Sequence, residues 1–423
     1  MNTKKSTLAP GDLDPGFGEN GVQFLSFGAE TINASVLGVN LAPDGKLLIS
    51  GYRGRENYAL ARLNLDGTPD QSFGNAGVVL GQFRAGRESA AAATLVMSDD
   101  KLLLIGKVFA EEEIDYRAVT RLNRDGSLDT SFGEQGSVIL DLPLEKPATG
   151  YIPDTLQASS SPVSALLQSD GKIVVNDTFG NIAVTFRLNA DGSLDNTFNG
   201  MGYVTLSLPD AYARLNPLYV ENDKIIIGGT YRSTVITDSR PMLVRYNANG
   251  TLDSSFGTNG IFIVSPETLD QQQAQFLDIL RESNGNILGI GSTVVYPLKG
   301  MALGLDKNGS PDTAFNGGKA LFTEVGTQGC QWNNAVLDNR SGLNVVCGGT
   351  LGTESSVLLG RIDNQGVWDT RLGGPQGWVK ISLGAGHALN YDVAVQSDGN
   401  ILVGGSFIPS TGLMKGFVIR ALG

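Results

Sequence analysis

Histidine is almost missing from this chain: His387 is the only one in 423 residues. That excludes metal centres built on several imidazoles, while one general base stays available. Cysteine is nearly as scarce. Cys330 and Cys347 supply neither a disulfide framework nor zinc-ligand spacing. Facing each other across one hairpin, they would either bond or stay as buried thiols, and buried thiols are the favoured reading. No stretch approaches 18 consecutive apolar residues, the length that would span a bilayer. No stretch sustains the 3.6-residue period of an amphipathic helix. Positive charge is in deficit, with 31 Lys and Arg against 43 Asp and Glu, a net charge of −12. This argues against general nucleic-acid binding and against docking on anionic membranes. Lys4 and Lys5 are followed by no apolar run, so no standard secretory leader is read, and the expectation is cytoplasmic residence, leaderless export or a trimmed leader.

What the chain has in abundance is glycine, 56 residues, with an apolar content of 41% that is enough for a packed interior. A chain this long splits into two or three domains unless it is one repeat array. It is an array. The stretch Leu128-Asp129-Thr130-Ser131-Phe132-Gly133-Glu134-Gln135-Gly136 returns seven times. Its Phe recurs at Phe17, Phe73, Phe132, Phe198, Phe256 and Phe315, with Leu372 in the seventh place, at intervals of 56, 59, 66, 58, 59 and 57 residues. Asp-Gly and Asn-Gly turns divide each repeat into four short β-type runs. In the third repeat they are A (Val163 to Gln168), B (Lys172 to Asn176), C (Ile182 to Asn189) and D (Gly202 to Leu206).

Four antiparallel strands cannot cover two apolar faces alone, and radial repetition solves this while leaving only short edges. The chain opens on a D run, Gly21 to Ser26, and stops on a C run, Phe417 to Leu422, so the last blade would draw A, B and C from one end and D from the other. The expectation is an all-β, seven-bladed β-propeller of four-stranded antiparallel blades over residues 13–423, preceded by a flexible tail at 1–12. The full copy from Arg121 to Gly136, followed by turns such as Asp170-Gly171-Lys172-Ile173, resembles the bacterial delta-60 repeat family across residues 13–422. The resemblance implies a propeller, often within large secreted or surface proteins, and no assigned chemistry. Asn199 and Asn316 stand where the family has Gly, and Leu372 departs from its Phe.

Several residue patterns invite a functional reading. The turn Asn64-x-Asp66-Gly67-x-x-Asp70, repeated with Asp125 and Asp129, has the alternate carboxylates of a calcium loop, but Arg62 or Arg121 stands where the first ligand is needed. The structural reading is preferred, so no metal or other cofactor is expected. His387, placed in a loop before the last A strand, and Tyr391 are the weak candidates for a catalytic base, without the Gly-x-Ser-x-Gly elbow of a hydrolase. Turns A–B and C–D are short and alike, whereas loops B–C and D–A are long, different in every repeat, and emerge on one face. That face would collect Arg53, Arg55, Arg84, Arg87, Arg117, Arg214, Arg232, Trp332 and Tyr391, types common at binding hot spots. Pairing with Glu111, Glu112, Glu113, Asp154, Asp210 and Asp238 is the alternative fate of these cations. The insertion 142–162 is either a lid or a mobile segment. The leading expectation is a monomeric, non-catalytic binding or scaffold protein for a protein or carbohydrate ligand. The alternatives are a lyase or hydrolase acting on acidic polysaccharides and a structural module of a surface assembly.

Overall fold

A computed structural model describes residues 8–54, 56–109, 115–141, 165–179, 182–352 and 354–423. Strand β1 spans Val22–Leu25. Blade 1 is β2 (Ala34–Leu41), β3 (Leu47–Arg53), β4 (Asn57–Leu63) and β5 (Val78–Gly81). Blade 2 is β6 (Ser89–Val96), β7 (Leu102–Val108), β8 (Tyr116–Leu122) and β9 (Ser137–Leu140). Blade 3 is β10 (Ala165–Leu167), β11 (Ile173–Phe179), β12 (Ile182–Leu188) and β13 (Tyr203–Leu206). Blade 4 is β14 (Ala211–Glu221), β15 (Lys224–Ser233), β16 (Ser239–Tyr246) and β17 (Ile261–Ile263). Blade 5 is β18 (Ala274–Arg281), β19 (Ile287–Thr293), β20 (Gly300–Leu305) and β21 (Leu321–Thr323). Blade 6 is β22 (Cys330–Asp338), β23 (Leu343–Thr350), β24 (Val357–Ile362) and β25 (Trp378–Ile381). Blade 7 is β26 (Gly386–Val395), β27 (Ile401–Pro409) and β28 (Lys415–Ala421). All seven sheets are four-stranded and antiparallel, with β1 as the outer strand of blade 7, where Val22 stands opposite Ile419. The only helical pieces among the described residues are single 3-10 turns at Asn316–Gly318 and Asn-free Gly374–Gln376.

The recurrent motif fastens each blade to the next. Arg121 Nε and Lys101 Nζ both donate to Asp129 Oδ2, at 2.7 and 2.9 Å. Arg121 Nη1 reaches Ala190 O in the following blade at 2.6 Å, and its guanidinium lies 4.9 Å from the centre of the Phe132 ring. Arg62, Arg187, Arg245 and Arg420 repeat this arrangement with Asp70, Asp195, Asp253 and Asp14. Phe132 is fully buried and rests against the next repeat's turn, where a Cβ on Gly192 would stand 3.0 Å from the ring. With φ at +92°, that turn needs glycine twice over. Asn199 and Asn316, at φ of 55° and 44°, hold the left-handed conformation that Gly133 holds at 53°. Asparagine tolerates that region better than other side chains do, so these two departures keep the local backbone.

Asp129→Ala would leave the Arg121 and Lys101 cations without their shared carboxylate. Asp129 and Arg121 are about nine-tenths covered but the Lys101 ammonium remains part-exposed, so the expected cost is about 2–3 kcal/mol, toward the low end for breaking a buried pair. A lower urea midpoint with an unchanged slope would check it.

Six of the seven inner strands, all but β10, carry an irregularity absent from the sequence reading. The pairing of the first two strands shifts between Val36 and Gly38, Ala91 and Ala93, Leu215 and Leu218, Phe276 and Asp278, Trp332 and Asn334, and Asn390 and Asp392. These are β-bulges, which bend a strand and sharpen its twist. Cys330 and Cys347 are both buried and free, and they stand opposite Thr350 and Asn334 and not opposite each other. Near the N-terminal end, Gly11 N–H donates to Leu422 O at 2.8 Å. The insertion 142–162 lies wholly outside the described residues.

Candidate functional site

The connections between second and third strands, and those leading from one blade to the next, share one face. Arg53 shows it directly, its Nη1 in one loop class donating to Phe27 O in the other at 3.2 Å. Of the cations assigned to this face, Arg84 and Arg232 are exposed, and their side chains bond to nothing among the described residues. Arg87 is half-buried. Arg214 is exposed on the innermost strand β14, at the mouth of the central channel, and Arg232 stands two residue pairs above it, opposite Tyr212. Arg55 lies outside the described residues. Exposed apolar side chains join the same rim, with Val235 and Ile236 on blade 4 and Val295 and Tyr296 on the neighbouring blade 5.

Three residues assigned to this face do not present themselves there. Arg117 is 2% exposed and pairs with Asp177 at 3.0 Å, because it is the second residue of a third strand and points between blades. Trp332 is fully buried against Trp368, its Nε1 donating to Thr323 Oγ1 at 3.3 Å. Both were read as loop residues, but both belong to strands. Tyr391 is the bulged residue of β26, and burial pushes its hydroxyl up to about 12 despite the bond to Ser406. A hydroxyl so reluctant to ionise is a poor base. His387 is the second residue of β26, opposite Ile408, and not a loop residue.

The turn carboxylates of the opposite face are committed to structure. Asp66 and Asp125 accept the backbone N–H and hydroxyl of Thr68 and Ser127, bonds that hold both carboxyls below the usual range. At Asp70 burial opposes ionisation, but the bonds from Lys46, Ser72 and Arg62 outweigh it and lower the carboxyl strongly. Asp129 is lowered by Ser131 and Lys101, against burial, with Arg121 adding to the effect. With an ammonium and a guanidinium on one carboxylate oxygen, a dication would meet repulsion. Among the described residues no three acidic, imidazole or thiol groups converge on a metal-sized space.

Sequence reasoning passed over the carboxylates of the channel wall. Asp278, Asn334 and Asp392 each follow the bulge of the inner strand in blades 5, 6 and 7. Asp278 Oδ2 accepts the N–H of Ala335 in the next blade at 2.9 Å, and Asp392 Oδ2 accepts that of Val39 at 2.8 Å. Their second oxygens accept from Ile279 and Val393. Burial among the blades pushes both carboxyls up to about 7, against the pull of these N–H groups. The buried Asn334 between them has an Oδ1 that bonds to nothing among the described residues. The overlooked signal was an acid within an apolar run, as in Phe276-Leu277-Asp278-Ile279-Leu280.

Four segments of the chain, 42–73, 98–132, 168–198 and 221–256, match the model of a domain of unknown function (DUF5122) described as a beta-propeller. No curated protein matches the chain in sequence. Among solved structures the chain is similar to a polysaccharide lyase of family PL25, an ulvan lyase, at 10% identity and a TM-score of 0.53, over 94% of this chain and 96% of that one. The same lyase bound to -[GlcA(1-4)Rha3S]- gives 0.51 at equal identity and coverage. The β-propeller domain of the Trilobed protease from Pyrococcus furiosus is 9% identical, with a TM-score of 0.48 over 92% of this chain and 94% of that domain. At these identities the likeness is one of fold. The chain is a seven-bladed β-propeller repeat protein.

Proposed function

We propose that the protein is a non-catalytic recognition module that binds acidic carbohydrate chains across the loop face and the channel mouth. The observation that carries this reading is the contrast between the two faces. On the turn face Arg62, Arg121, Arg187 and Arg245 are each bound to an aspartate. On the loop face Arg84 and Arg232 are exposed and bond to no described side chain, and Tyr296 is 71% exposed. Guanidinium groups match carboxylate and sulfate oxygens in pairs, and an exposed aromatic ring offers a flat apolar surface to a sugar ring. In a protein of net charge −12, cations left unneutralised on one face select for an anionic ligand. The resemblance of the repeat to delta-60 repeat proteins, which often occur in large surface proteins, would fit this role.

The ulvan lyase of like fold is seen with -[GlcA(1-4)Rha3S]-, which makes ulvan the first probe. Immobilised ulvan, polygalacturonate and neutral dextran would be compared by interferometry. Salt-sensitive binding to an acidic polymer and none to dextran is expected. Arg84→Ala with Arg232→Ala should weaken it about tenfold, the scale of a charge-assisted contact or two. Equal binding to dextran, or no binding to any acidic polymer, would overturn the reading.

A further inference from the structure

The far end of the channel holds a second feature, independent of the loop face. A cavity of about 360 Å³ lies where β2, β6, β22 and β26 approach their turns. That volume falls within the range of small-ligand pockets. Its wall is apolar over most of its area, with Val39, Leu95, Val336 and Val395, and the only charged side chain in it is Asp392. Thr94 also borders it, with its hydroxyl covered by the surrounding protein. Asn40 is already committed, donating to Thr94 O at 2.6 Å and accepting from Leu41 N–H at 2.7 Å.

We infer that this cavity is a binding site for a small alkylammonium ion, with its nitrogen at Asp392 and its carbon chain against the valine and leucine wall. Each carboxylate oxygen of Asp392 accepts one backbone N–H and keeps a further lone-pair direction for a ligand. An ammonium supplies the donors that Asp392 can still accept. A calcium ion is a poor match, since it needs six or more oxygens and this wall offers mostly methyl groups. An alkyl body instead removes apolar surface from water on both sides of the contact.

Titration calorimetry on the full chain would use butylammonium chloride, 1-butanol and calcium chloride. Saturable binding of butylammonium at one site is expected, with 1-butanol weaker by about tenfold or more for want of the charge contact. Asp392→Asn should remove that advantage. Should this variant fail to fold, Val336→Phe fills the cavity without touching Asp392 and should abolish butylammonium binding. No saturable butylammonium binding, equal affinity for 1-butanol, displacement by calcium, or indifference to Val336→Phe would each overturn the assignment.

Discussion

Stability is expected to fall as the pH rises from about 4 towards neutrality, the reverse of what surface ion pairs alone would give. Asp278 and Asp392 move from 3.8 in the unfolded chain to about 7 in the folded one. Between those values the folded protein keeps protons that the unfolded chain releases, so each step up in pH favours unfolding. The loss is complete above 7. Three units correspond to about 4 kcal/mol per carboxyl at full strength, and the partial exposure of both residues cuts this to about 2 kcal/mol each. On the acid side the sign is opposite. Asp70, Asp129 and Asp253 are depressed below 3.8, so their contribution is present above that value and lost as the pH drops below it. The maximum therefore lies at mildly acid pH. Thermal unfolding across the acid and neutral range checks this, with Asp278→Asn/Asp392→Asn expected to flatten the neutral limb. A wild-type midpoint that climbs steadily to neutrality would contradict the account.

Phe132→Ala should cost about 4 kcal/mol, in the range for a fully buried aromatic side chain. The ring is covered by Arg121 on one side and by the turn at Gly192 on the other, so its removal opens a gap between two blades and uncovers the guanidinium. Phe132→Leu should cost far less, about 1 kcal/mol, because Leu372 already fills the equivalent place in the chain with no exposed surface. Urea midpoints of the two variants would separate cavity formation from loss of the ring–cation contact. Similar losses for both would shift the weight onto the cation.

Blade number and strand boundaries were legible because the fasteners are local: an Arg, its Asp eight residues on, and a Phe three residues later must recur wherever a blade meets its neighbour. Arg62 and Asp70 could be paired on paper for that reason. The functional face was legible only as a class of loops. Trp332 and Arg117 were misplaced because each follows a loop closely, and only the partner strands Leu343–Thr350 and Leu102–Val108 show that the inward run has already begun. Asp278 and Asp392 escaped notice because a bulge has no signature in a single strand. It exists only as a mismatch with the strand alongside.

The bulges also divide six of the seven innermost strands into two segments of opposite parity. Ahead of the bulge, Gln331 and Trp332 alternate in one phase, and beyond it Ala335 and Val336 alternate in the other. Substitutions that alter the mouth, at Arg214, Gln275 or Leu389, therefore need no compensating change below it. Residues such as Val39 and Val393 form a separate layer, closed by its own contacts. The upper half of the channel is free to diversify in evolution while the lower half holds the ring, and a designer could exchange the mouth as a cassette.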